Sequence, residues 1–202
     1  MHNIADAPTW AQYLLLIPLG VVLFVAAVTD WRQRKIYNWL TYPAFLIGLI
    51  LHTAAFGFSG LAAGLLTGFG VVFIGLIILP FGWLGGGDIK LLAVIGATLG
   101  PWPLYEIFAY AVFVGFVMAI CLSLINGYLW ELIKKLGRFL RSLFWSVSTQ
   151  TNLTEKLETD ERGYLPFAIP ILIGAVFATT DVYLQWPLFL DWIRLTMRSL
   201  FG

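Results

Sequence analysis

Long apolar runs constrain this chain more than any other feature. Residues 10–29, 39–56, 60–80 and 104–129 are each close to the roughly 20 apolar residues that a helix needs to cross a hydrocarbon core. Residues 165–180 form a shorter run without a break, and 89–100 a sixth that would rise only about 18 Å as a helix. With 60% hydrophobic and 11% charged residues, a 202-residue soluble core cannot hide this much apolar surface, so lipid is the natural solvent for the rest. The expected fold class is therefore all-α, a polytopic membrane helix bundle of about six transmembrane helices plus a cytoplasmic amphipathic helix. Residues 1–202 read as a single membrane-embedded unit.

Basic residues set the orientation. Arg32, Arg34 and Lys35 follow the first run; Lys134, Lys135, Arg138, Arg141, Lys156 and Arg162 lie between the fifth and sixth. The short connections 57–59 and 101–103 carry no charge. An outside N-terminus with both basic loops in the cytoplasm satisfies this pattern only if 89–100 also crosses. The loop charges thus support the segment that length leaves in doubt. Within 130–162, Leu132, Leu136, Phe139, Leu140 and Leu143 share one helical face, with cations over much of the remainder. This reads as a basic amphipathic helix on an anionic leaflet, followed by a mobile polar loop over 146–161. Residues 181–202 read as an interfacial tail. Trp10, Trp39, Trp102, Trp130 and Trp186 fit an aromatic belt.

Several function classes drop out. A net charge of +1 gives no electrostatic case for nucleic acid. The lone Cys121 permits neither an internal disulfide nor a cysteine zinc cluster. The first eight residues lack the basic start of a cleavable signal. Gly60, Gly64 and Gly68, like Gly96 and Gly100, recur every four residues, the spacing of close helix packing in membranes. His52 and Glu106 read as packing and boundary residues.

Two aspartates stand out. Asp30 closes the first run, and Asp88 follows Gly85, Gly86 and Gly87 just before the fourth. Two crossings separate them, so they share a membrane face. Adjacent carboxyl groups can share one proton, the ionised member activating water while the acid serves the substrate carbonyl. The helix dipole favours ionisation of Asp88 at a helix start and disfavours it for Asp30 at a helix end, so on these local terms Asp30 is expected to hold the proton, unless the charges of Arg32, Arg34 or Lys35 reverse it. The glycines allow positive φ and close approach. Structural readings stay open: Asp30 as a boundary charge paired with Arg34, Asp88 as a helix cap. Lys90 is an orienter, a counter-charge or a snorkelling lysine. Asn38 caps the second helix or binds substrate backbone, capping being favoured.

These residues resemble the type IV prepilin peptidase family. Gly85-Gly86-Gly87-Asp88 matches its Gly-x-Gly-Asp motif and Lys90 the lysine two residues on. Asp30, Ile36 and Asn38 resemble its first motif, with Tyr37 where proline is usual. Tyr164-Leu165-Pro166-Phe167-Ala168-Ile169-Pro170 resembles its last core helix. The resemblance covers about 18–178. It implies an aspartyl endopeptidase of a prokaryotic cytoplasmic membrane, with Asp30 and Asp88 catalytic, Gly85, Gly86 and Gly87 as the active-site loop, and Lys90, Asn38 and Ile36 supporting. It implies no cofactor and no metal. The partners implied are a pilin-like precursor, cut after a short basic leader, and lipid; a homo-oligomer is left open. With only 31–37 between the first two runs and no cysteine pair, this looks like the short form without methyltransfer. The rival readings are a small proton-linked transporter or channel and a non-catalytic assembly factor.

Overall fold

The computed structural model describes residues 8–79, 84–125 and 166–184. They form five helices: α1 (Thr9–Gln33), α2 (Asn38–Ile78), α3 (Gly86–Leu99), α4 (Pro101–Ile125) and α5 (Ala168–Leu184). Among the described residues there is no strand. The expectations for 130–162 and for the tail lie outside the described residues, except that α5 runs on to Leu184. By compactness the chain divides into 1–114 with 166–202, and 115–165. The second unit is described only over 115–125, the end of α4.

Three helices, α1, α2 and α4, are long and apolar enough to cross a membrane. At 41 residues, α2 would extend about 60 Å if straight, twice a hydrocarbon core. It does not run straight. Gly57 has φ 67° and ψ −152°, a conformation reserved almost wholly for glycine, and the helix breaks there. The two arms then fold back on each other. A Cβ on Gly60 would strike the carbonyl of His52, one on Gly64 would meet Leu49, and one on Gly68 would meet the ring of Phe45. Such descending pairs define an antiparallel hairpin with its turn at 57, as the separate runs 39–56 and 60–80 anticipate.

The third helix lies against both arms. Gly64 faces the carbonyl of Ala97, Gly68 that of Ala93, and Gly75 the side chain of Ile89, so α3 runs antiparallel to the second arm. On the first arm, Gly48 abuts Thr98. A methyl group at any of these four glycines would sit closer than 3.0 Å to a neighbour. The four-residue glycine spacing therefore serves packing, as expected. Gly100 is a correction: with φ 82° it ends α3 and turns the chain, a backbone role rather than a helix contact.

Every α3 residue from Ile89 to Leu99 except Lys90 is buried. A helix apolar on all sides belongs inside a protein. Covered by its neighbours, α3 can be short without exposing backbone to lipid. Against this centre α1 presents Ala11, Leu15, Leu19, Leu23, Ala26 and Asp30, one stripe at three- and four-residue spacing. Its opposite face, including Ile17, Val21, Phe24 and Val28, is exposed and equally apolar. On α5, Gly174 lies against the backbone of Ile107 and Ala111 of α4.

Candidate active site

The stripe on α1 explains why a carboxylate is buried. Asp30 continues the row of packed side chains into the last turn of the helix and is only 2% exposed. Its backbone carbonyl accepts the N–H of Arg34, which adopts the left-handed conformation (φ 53°, ψ 36°) and ends α1. Its side-chain Oδ2 accepts the N–H of Ala168 at 3.2 Å. Ala168 opens α5, where helix N–H groups lack partners of their own. The carboxylate of α1 thus satisfies the start of a helix 138 positions away in sequence. Nothing in the local pattern around Asp30 announces this bond.

Asp88 occupies the first turn of α3, ahead of the apolar stretch that begins at Ile89. The N–H of Gly85 donates to Asp88 Oδ2 at 3.2 Å. Glycine has no side chain to return the bond, so this is half of a capping box. The capping alternative for Asp88 is therefore met in part, from inside the first turn. Burial first, and then the charge of Asp30, raise the Asp88 carboxyl from 3.8 to about 6, while the Gly85 N–H works the other way. Desolvation thus outweighs the hydrogen bond from the Gly85 N–H, which favours the charged form. Asp30's part in this shift means that the two carboxyl groups, 58 positions apart, act on one another through space.

The three glycines do different things. A Cβ on Gly85 would lie 2.9 Å from the Asp88 carboxylate. One on Gly87 would lie 3.0 Å from Cβ of Ile36. One on Gly86 would meet nothing within 4 Å. Two of them are thus needed for close approach, and the middle one faces open space.

Ile36 is half-buried against this loop. Asn38 begins α2 but does not cap it. The N-cap position is Tyr37, without a side-chain cap bond, and Asn38 Oδ1 instead accepts from Lys90 Nζ at 2.7 Å. The capping expectation for Asn38 is therefore corrected. Lys90 also stands 5.5 Å from the ring centre of Tyr42, a cation–π contact that sequence reasoning missed. Where proline is usual, the Tyr37 hydroxyl donates to Gln33 Oε1, tying the loop back to α1. His52 is buried at the other end of the hairpin, with its ring 4.8 Å from that of Phe56 and close to Gly100. It belongs to the packing there, away from both aspartates. Among the described residues no cluster could hold a metal ion.

The type IV leader peptidase family profile matches residues 17–120, half of the chain and the stretch that carries both aspartates. This chain belongs to the type IV leader peptidase family. A prepilin leader peptidase/N-methyltransferase of Vibrio cholerae serotype O1 is 30% identical over 97 residues, covering 45% of this chain and 38% of that protein. The chain thus aligns with well under half the length of this leader peptidase relative. No solved structure matches it. Membership fits the apolar helices, and the chain is a membrane protein of a peptidase family.

Proposed function

We propose that this protein is an aspartyl endopeptidase that removes the short basic leader of type IV prepilin-like precursors at the cytoplasmic face of the inner membrane. The observation that carries the reading is that the charge of the buried Asp30, at the end of α1, raises the carboxyl of Asp88, at the start of α3. Two carboxyl groups that raise each other's cost of ionisation can share one proton, one member ionised and the other protonated. The ionised member takes a proton from water as the water oxygen bonds to the scissile carbonyl carbon. The protonated member gives its proton to the carbonyl oxygen. Collapse of the tetrahedral intermediate breaks the C–N bond, and the amine leaves with a proton returned through the pair. Open space at Gly86 suits an extended substrate backbone.

Membrane geometry supports the same reading. The two arms of α2 lie between the aspartates and return the chain to the side it left, which favours six crossings with α3 as the fourth. Arg32, Arg34 and Lys35 beside Asp30 put that side in the cytoplasm by charge bias, with the N-terminus outside. The loop between α1 and α2 spans only 34–37, which leaves no room for a methyltransfer insert there. A transporter or channel would be expected to keep its carboxylates nearer the bilayer middle than the ends of α1 and α3.

The test is co-expression with a pilin-like precursor and detection of leader removal by mass. Asp30→Asn and Asp88→Asn should each lower processing at least about 100-fold, the scale of a lost acid–base group. Full processing by both single variants would eliminate the peptidase reading and leave the assembly-factor and transporter alternatives.

A further inference from the structure

Lys90 is the one residue between Ile89 and Leu99 that is not buried. Successive α-helix residues turn by about 100°, so Lys90 points about 200° away from Asp88. While Asp88 turns to Asp30, Lys90 turns to the start of α2. There it meets Asn38 Oδ1 at 2.7 Å and the Tyr42 ring at 5.5 Å. Three positions before Lys90, Gly87 packs on Ile36, two positions before Asn38. Three contacts therefore lock 36–42 to 87–90 on the far side of the turn that carries Asp88. Asp30 has its own separate anchor in the N–H of Ala168.

We propose that Lys90 and Asn38 form a positioning clasp, steadied by Tyr42, which holds the first turn of α3 so that Asp88 stays buried against Asp30. Neither residue acts on substrate. This deepens the peptidase reading and rests on it for its kinetic test. A clasp of this kind acts through geometry: a misplacement of about 1 Å costs on the order of 100-fold in rate. Lys90→Ala and Asn38→Ala should each lower kcat for leader removal about 10- to 100-fold with KM little changed. The double variant should be no worse than the poorer single one, since either change opens the same clasp. Lys90→Arg keeps a donor for Asn38 and a cation over Tyr42, and should recover most of the activity. Should Lys90→Ala fail to accumulate, Asn38→Ala and Lys90→Arg carry the same comparison.

A second readout does not depend on activity. Asn38→Ala removes no charge, so a fall in the Asp88 titration midpoint below about 6, followed by carbon-13 carboxyl NMR, reports the turn leaving its buried place beside Asp30. An unchanged midpoint overturns the clasp even if no precursor is ever cleaved. Additive losses in the double variant overturn it too, as does a raised KM at unchanged kcat, which would put Lys90 on the substrate. A wild-type protein that cleaves nothing while the midpoint falls would instead count against the peptidase reading alone.

Discussion

At the scale of single residues, the two carboxyl groups are held by opposite devices. Asp30 is almost wholly enclosed and tied to a distant helix start, whereas Asp88 is partly buried and tied to its own loop. The charge on Asp30 is one of the causes that raise Asp88 to about 6. Replacing Asp30 by asparagine removes a like charge, which makes ionisation of Asp88 easier. Its midpoint should therefore fall, yet stay above the ordinary 3.8 because burial, the largest cause, remains. Carboxyl NMR on Asp30→Asn checks this, and an unmoved midpoint would mean that the two groups do not sense each other. The motif residues were legible here as chemistry, but their partners were not. Ala168 and Tyr42 lie far along the chain from Asp30 and Lys90, and only folding brings those pairs together.

Elements are positioned by small residues. On the second arm of α2, Gly60, Gly64, Gly68 and Gly75 are buried in one row, so backbone meets backbone where side chains would hold the helices apart. A Cβ on Gly64 would lie 2.8 Å from the carbonyl oxygen of Ala97, an atom that cannot yield without moving α3. Gly64→Ala should cost about 1–3 kcal/mol, the range of overpacked cores. Gly70→Ala, with nothing within 4 Å, should be neutral or gain up to about 1 kcal/mol from helix propensity. Gly57→Ala should cost about 1–3 kcal/mol through its backbone alone. Unfolding of the detergent-solubilised variants measures all three; equal stability of Gly64→Ala and Gly70→Ala would remove the close-packing account. The spacing 60, 64, 68 was readable in the sequence. Gly48, Gly75 and Gly174 were not, because each stands alone and reveals its role only through the helix it touches.

Across the whole molecule, the α2 hairpin sends the turn at Gly57 to one end and the starts of α2 and α3 to the other. The proposed topology makes these ends outside and cytoplasmic. Phe58 is 83% exposed beside the turn, and Lys35 is exposed beside Asp30. In a Cys121→Ser background, a membrane-impermeant maleimide added to intact spheroplasts should label Phe58→Cys and spare Lys35→Cys until the membrane is opened. The reverse pattern would place the aspartates on the outer face and end the cytoplasmic reading.

The sequence by itself determined the solvent, the helical class, the break between the two arms and the pair of aspartates, because these follow from hydropathy, glycine and charge along the chain. It did not determine which face of each helix packs. On α1 the buried row and the exposed row are equally apolar, and in lipid no polar face marks the outside. Tertiary structure decided that Asp30 continues the buried row, that α3 is central, and that Asn38 holds Lys90 instead of capping its own helix. It also decided that desolvation, a property of the assembled bundle, outweighs the Gly85 hydrogen bond at Asp88, a property of one segment.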